Sequence, residues 1–109
     1  MVLVTAIYRL TKDFPRSEMY GLTRQVREAA CSVPSNIAEG KGRQTKKDYV
    51  QFLFRARGSL FETMTQLEIS RNLEFLTNEA FDEIFRQADE VSRVLGALIR
   101  NIQAQIDGR

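Results

Sequence analysis

Apolar residues recur at alternating three- and four-residue steps along most of this chain, and this periodicity restricts it to helical folds. The clearest run lies between about residues 77 and 107 and consists of Phe81, Ile84, Ala88, Val91, Leu95, Leu98, Ile102 and Ile106. Such a stripe is typical of a long helix packed in a bundle. At 1.5 Å per residue, roughly 30 residues make a rod of about 45 Å.

Three further helices are predicted by the same pattern, over about residues 2–13, 16–39 and 45–72. Thr45, followed by Asp48, and Thr77 are the N-caps that we expect for the last two helices. The connections are short, so consecutive helices should be antiparallel neighbours. We therefore predict one domain over residues 1–109, an all-α, up-and-down antiparallel four-helix bundle with a short first helix.

Composition excludes several classes of protein. The chain has no apolar run of about 18 residues that could span a bilayer, and no signal-peptide pattern at its start. Cys31 is the only cysteine, and histidine, the commonest general base and metal ligand, is absent. We expect a cytoplasmic protein without enzymatic activity, metal or cofactor.

Charge is divided unevenly along the chain, although the total is only +2. Residues 24–57 carry eight basic and three acidic side chains, whereas residues 58–109 carry five basic and nine acidic ones. Such a division is typical of a polyanion-binding face, or of complementary faces that meet when subunits associate.

A second apolar stripe runs along each of the two long helices. It comprises Phe54, Gly58 and Phe61 on one helix, and Phe85, Ile99 and Ile106 on the other. One interpretation is a subunit interface, in which Gly58 permits close approach of two backbones. The other is a wide stripe that faces two neighbours in the same bundle.

The short first helix predicts a gap in the bundle. Its missing half would lie beside the turn at residues 40–43, and would leave Val33, Ile37, Phe52 and Ile102 under-covered. Either the natural chain begins further upstream, or something else fills that groove.

Several segments of this sequence resemble segments of a known protein family. The matching segments are Phe14-Pro15, Tyr20-Gly21-Leu22, the run from Ser32 to Arg43, Gly58-Ser59-Leu60 and Thr65-Gln66-Leu67. They resemble the four-helix-bundle proteins encoded in intervening sequences of bacterial 23S rRNA genes. The accessory variability determinant of diversity-generating retroelements is similar to these. The resemblance implies a homopentamer around a central channel, with no known enzymatic activity and with proposed nucleic-acid binding. It also implies a first helix at least ten residues longer.

The segment at residues 36–43 has a structural and a functional interpretation, and the two are compatible. In the structural one, Asn36, Glu39, Gly40 and Gly42 build the turn, with Gly40 in a left-handed conformation. In the functional one, a basic group binds phosphate at the turn and on the flanking helices. Its members are Lys41, Arg43, Lys46, Lys47, Arg24, Arg27, Arg55 and Arg57.

We therefore hypothesise a non-enzymatic, homo-oligomeric bundle that binds RNA or DNA through this turn and these helix faces. The alternative is a protein-interaction scaffold, or an accessory subunit that recruits a nucleic-acid-processing enzyme.

Overall fold

The structure is a computed structural model that describes residues 1–108, and these residues form four α-helices. The helices are α1 (Val2–Thr11), α2 (Leu22–Lys41), α3 (Lys46–Asn72) and α4 (Asn78–Ile106). A single 3-10 turn, Arg16–Glu18, lies between α1 and α2. The molecule is 49 Å long, a little more than the roughly 44 Å of its longest helix, α4.

Each helix packs against two others, in the cyclic order α1, α2, α3, α4 and back to α1. Consecutive helices are joined by short connections and are therefore antiparallel. The prediction of an all-α four-helix bundle is confirmed. Within the described residues, no helix is long and apolar enough to cross a membrane.

The core follows the predicted stripes. Fully buried aliphatic side chains come from α1, α2 and α3, and α4 adds a further row on the remaining side. The fully buried side chains from the first three helices include Ile7, Val26, Val33, Leu53, Leu60 and Leu67. The row from α4 comprises Phe81, Ile84, Leu95, Ile99 and Ile102. Because every helix contributes one apolar face, these side chains form a single contiguous core.

The capping residues of α3 and α4 are confirmed. The Thr45 hydroxyl accepts a hydrogen bond from the backbone N–H of Asp48, and that of Thr77 accepts one from Ala80, both at 3.1 Å. Each hydroxyl satisfies an N–H that lacks a partner inside the helix. These short-range bonds explain why the starts of both helices were predicted to within one residue.

The second helix starts later than predicted. The expected start near residue 16 is only a 3-10 turn, and the α-helix begins at Leu22. Gly21 separates the two with a non-helical backbone, at φ −111° and ψ −114°. Past that point α2 is continuous through Pro34 to Lys41.

A polar bridge joins α2 to α3 near Pro34. The hydroxyls of Ser32 and Ser59 are 2.8 Å apart, and the Asn36 amide donates to both the carbonyl and the hydroxyl oxygen of Ser32. Asn36 therefore lies inside α2 and supports the contact with α3, whereas the sequence had placed it in the turn. Such bonds inside a bundle fix the register of two helices because their loss leaves a polar group without a partner.

A left-handed residue was predicted at Gly40, near the end of α2, but the structure has one at the end of α3 instead. Glu74 has φ +62°, its N–H bonds the Arg71 carbonyl, and the N–H of Phe75 bonds the Ser70 carbonyl. These two bonds and the left-handed residue define a Schellman motif. The position is uncommon for a residue with a side chain.

The gap beside the short first helix is smaller than predicted. Val33 and Ile102 are buried in the core, so the expectation for these two was wrong, and Phe52 is half-buried. Ile37 is half-buried and lines an apolar groove of about 330 Å³ together with Met1, Val91, Val94 and Leu98.

Candidate nucleic-acid interface

The turn between α2 and α3 is built from four residues, 42–45. Helix α2 closes when the Gly42 N–H bonds the carbonyls of Ala38 and Glu39, and the N–H of Arg43 then bonds the carbonyl of Gly40. Gly42 has φ −80° and ψ −4°, so it ends the helix without a left-handed residue. Thr45 starts α3 directly afterwards.

Gly40 sets the separation of the two helices at this turn. A Cβ atom added to it would lie 2.8 Å from the Cβ of Phe52 and 2.8 Å from a ring carbon of Tyr49. It would also lie 3.2 Å from the Tyr49 carbonyl oxygen, which belongs to the backbone of α3. Gly40 is therefore a buried helical residue whose missing side chain lets α3 approach, and the predicted left-handed role is replaced by this one.

Four of the predicted cations lie at this turn. Lys41, Arg43, Lys46 and Lys47 are all exposed and come from the last residue of α2, the turn and the first two residues of α3. Arg43 forms an ion pair of 2.9 Å with Glu39. In the part of the chain that the structure describes, the three lysines have no carboxylate within salt-bridge distance.

Phe52 brings a fifth cation to the turn. Its ring lies between two guanidinium groups, with the Arg43 carbon 4.7 Å and the Arg55 carbon 4.6 Å from the ring centroid. Cation–π contacts of this kind orient arginine while leaving its N–H groups available to other acceptors. We call Lys41, Arg43, Lys46, Lys47 and Arg55 the basic turn. Apart from the three-residue spacing of Phe52 and Arg55, no sequence pattern indicated the contacts of the Phe52 ring.

The remaining predicted arginines lie elsewhere. Arg24 and Arg27 are in the first two turns of α2, about 25 Å along the helix axis from the basic turn. Arg24 pairs with Glu28 at 2.8 Å, and this hydrogen bond raises the pKa of its guanidinium. Arg57 stacks on Phe54. Because it follows Arg55 by two residues, it projects from α3 in a direction rotated by about 200° from that of Arg55.

The predicted interface residues divide into two groups. Phe54 and Phe61 on α3 are 37% and 49% exposed, and a Cβ added to Gly58 between them would meet nothing within 4 Å. Ile99 is only 4% exposed and belongs to the core of the chain, while Phe85 stacks on Phe81 at the edge of that core. Packing within one chain accounts for Phe85 and Ile99, so among these five predicted interface residues it is Phe54 and Phe61 that present apolar surface.

The far end of the bundle contains a cluster that the sequence did not reveal. Arg27 lies over the Tyr8 ring at 4.7 Å, and the Tyr8 hydroxyl lies 3.6 Å from the sulfur of Cys31. That hydrogen bond raises the pKa of Tyr8 above its ordinary value. The cluster ties the end of α1 to α2, and Cys31 is a half-buried member of this contact.

Comparison with known proteins agrees with the fold. The family model of the 23S rRNA-intervening sequence protein matches residues 1–97. The chain is also similar to the crystal structure of a protein of unknown function from the S23 ribosomal protein family of Bacteroides thetaiotaomicron. That similarity has a TM-score of 0.78 at 22% identity, over 90% of this chain and 89% of the other. Among curated proteins, no match to the sequence was found. Because the family model covers all four helices apart from the last turns of α4, this chain belongs to the 23S rRNA-intervening sequence protein family.

Proposed function

We propose that this protein binds RNA or DNA through the basic turn, in a non-enzymatic and cytoplasmic role. The observation that supports this most directly is the set of three exposed lysines at one end of the bundle that have no carboxylate partner among residues 1–108. An unpaired cation can release a counterion from a phosphate without first breaking an ion pair of its own.

The shape of the turn supports the same proposal. Gly40 holds α2 and α3 in close contact, and Phe52 orients Arg43 and Arg55, so the five cations are presented by a fixed scaffold. The first amides of α3 add the positive end of a long helix beside Lys46 and Lys47. Contacts of this kind read the phosphate backbone and carry little sequence information.

Salt dependence is the first test. Each cation that neutralises a phosphate of duplex DNA contributes about −0.9 to the slope of log K against log[salt], so five contacts give a slope of about −4 to −5. The descriptions of the family and of the related structure refer to ribosomal RNA or the ribosome, so a 23S rRNA fragment is the first ligand to titrate, followed by duplex DNA. Fluorescence anisotropy between about 50 and 200 mM salt measures the slope.

A matched pair of variants locates the site. Replacing Lys41, Arg43, Lys46 and Lys47 by Ala should weaken binding by about 100-fold or more at low salt and flatten the slope by about 3 to 4. The control removes the same number of charges elsewhere, at Arg24, Arg86, Arg93 and Arg100, and should retain most of the affinity. Equal losses in the two variants would show that net charge alone drives binding, and would contradict a site at the turn.

We further propose that the chain forms a homo-oligomer through Phe54, Gly58 and Phe61, with five as the subunit number that the family resemblance implies. Two exposed phenylalanines on either side of an open glycine make an apolar surface with room for close approach. Light scattering should give a mass several times 12.5 kDa. Phe61→Lys should lower that mass, whereas Val94→Lys, an exposed apolar site on α4, should leave it unchanged.

The competing role is a protein scaffold or accessory subunit. It is favoured if purified protein carries no nucleic acid and high salt dissociates the oligomer, because the oppositely charged parts of the chain would then meet between subunits. The acidic side chains of α4 weigh against this, since Glu83, Asp89 and Glu90 already pair with arginines of the same helix.

A further inference from the structure

A cavity of about 440 Å³ lies at the end of the bundle opposite the basic turn, where α1 ends and α2 begins. Its walls come from the last residues of α1, the segment that contains the 3-10 turn, and the first turns of α2. The volume falls within the range of small-molecule sites. No residue of the basic turn lines this cavity.

The charged lining of the cavity is entirely basic. Lys12, Arg16 and Arg27 line it, and no carboxylate does so among the residues that the structure describes. Three acids lie close by in sequence without lining the cavity: Asp13, Glu18, whose carboxylate accepts a bond from the Leu22 N–H, and Glu28, which is paired with Arg24. Three cations around one cavity favour an anionic occupant, and a dianionic phosphate gains more from them than a carboxylate does.

Arg27 is held in position before any ligand arrives. Its Nε donates to the Thr11 hydroxyl at 2.8 Å, and one terminal nitrogen reaches the Tyr8 carbonyl at 3.4 Å. The Thr11 hydroxyl is itself anchored on the carbonyl of Ile7 at 2.8 Å. A guanidinium fixed in this way loses little conformational entropy when it binds an oxygen of a ligand.

The buried hydroxyl of Thr23 is a further feature that favours a ligand in the cavity. Thr23 is one of the cavity-lining residues and is only 2% exposed, and its hydroxyl oxygen is buried without a hydrogen-bond partner within the described chain. A ligand in the cavity would reach this oxygen after the side chain rotates about χ1. Buried hydroxyls are nearly always bonded, because an unpaired one keeps the full cost of losing water. Thr23 also lies in the first turn of α2, where the helix dipole favours negative charge and the Glu18 carboxylate already accepts a hydrogen bond from the Leu22 N–H at 3.4 Å.

Apolar side chains complete the lining. Phe14 is buried against Phe75 with ring centroids 5.6 Å apart, and Pro15 and Met19 extend this wall. A ligand with a flat or apolar body can lie against the wall while its anionic group reaches the cations. Inorganic phosphate would use only part of the cavity.

We infer that this cavity binds a small phosphate monoester, with the phosphate held by Lys12, Arg16, Arg27 and the Thr23 hydroxyl, and the organic part packed on Phe14 and Met19. The phosphomonoester group has two sources, a free metabolite such as a mononucleotide or the 5′ end of a nucleic-acid strand. This inference stands apart from the proposed function, because its residues lie at the other end of the bundle.

Calorimetric titration with adenosine 5′-monophosphate tests the inference. We expect binding by the monophosphate, weaker binding by inorganic phosphate and none by adenosine. A short oligonucleotide with a 5′-phosphate should compete with the monophosphate if the strand end is the source, and a 5′-hydroxyl oligonucleotide should not. Failure of both the monophosphate and the 5′-phosphorylated strand to bind overturns the inference.

Thr23→Val gives the most specific readout, because it keeps the shape of the side chain and removes only the hydroxyl. The free protein should melt at a higher temperature, since the unpaired hydroxyl is gone, while affinity for the monophosphate should fall about tenfold or more. Thr65→Val, whose hydroxyl bonds the Phe61 carbonyl far from the cavity, is the control and should leave affinity unchanged. Unchanged affinity in Thr23→Val would overturn the role of the hydroxyl.

Two arginines about one helical turn apart provide a second matched pair of variants. Arg27→Gln should abolish binding of the monophosphate, and Arg24→Gln, which removes a surface arginine one turn away, should not. The fourfold Ala variant of Lys41, Arg43, Lys46 and Lys47 should bind the monophosphate normally. Loss of monophosphate binding in that variant would place the phosphate site at the basic turn and contradict the inference, whereas loss of RNA binding alone bears only on the proposed function.

Discussion

The two hairpin turns of this bundle reverse the chain by different means. Between α2 and α3, the helix ends on Gly42 in a right-handed conformation, and the nearby Gly40 lets the two helices approach. Between α3 and α4, no glycine is present, and Glu74 takes the left-handed position of a Schellman motif. At the turn between α2 and α3, the glycine therefore marks a close contact between helices and not a left-handed cap. At the turn between α3 and α4, a left-handed cap forms without a glycine.

The largest effect should come from Gly40→Ala. The new Cβ would meet Phe52 and the backbone of α3, and we expect a loss of about 2 kcal/mol in the free energy of unfolding after the gain in helix propensity is included. Gly42→Ala places its Cβ no closer than 3.5 Å to any atom outside the neighbouring residues, and should change stability by less than about 0.5 kcal/mol. Urea unfolding of both variants measures the difference. Equal effects would mean that helix contact is not what Gly40 provides.

A smaller loss is expected from Ser32→Ala, which removes the bridge between α2 and α3. The Ser59 hydroxyl loses its partner across the interface, and the Asn36 amide loses one of its two acceptors, for a cost of about 1 to 2 kcal/mol. Ser35→Ala, on the exposed side of the same helix, should instead be neutral or slightly stabilising. Chemical unfolding of the pair shows whether the hydroxyl bridge or the helix propensity dominates.

The smallest effect, and the only gain, should come from Glu74→Gly. Glycine adopts the left-handed conformation without a penalty, so we expect stability to rise by about 1 kcal/mol and the melting temperature by about 4 °C or more. The same substitution at Glu68, an exposed position inside α3, should lower stability by about 1 kcal/mol. If both variants lose stability, the side chain of Glu74 makes a contribution that its backbone conformation does not reveal.

The long helices could be predicted from sequence because their signals are local. The starts of α3 and α4 are set by Thr45 and Thr77, whose bonds span three residues, and their apolar stripes are regular. The start of α2 was missed because Pro15 and Ser17 resemble a helix start, while Gly21 interrupts the helix before it forms. Local propensity cannot decide between two such competing signals.

The candidate site was predictable only in part, because its geometry depends on contacts between helices. Lys41, Arg43, Lys46 and Lys47 lie together since they are close in sequence, but Arg55 joins them only through the ring of Phe52. Arg24 and Arg27 were predicted to belong to the basic group at the turn, but the length of α2 places them at the far end of the bundle. The role of Gly40 needed the position of Phe52 and Tyr49 on the opposite helix.

The position of α1 has a consequence for the order in which the chain folds. It packs on α4, and Ala6 and Leu10 line a surface hollow together with Ala80 and Ile84, which are far away in the sequence. Helices α2, α3 and α4 are joined by short turns and can associate early, whereas an α1–α4 contact formed before them would close a loop of most of the chain. We expect α1 to dock last in folding and to detach first in local unfolding, when its amides would exchange hydrogen ahead of those in the other three helices.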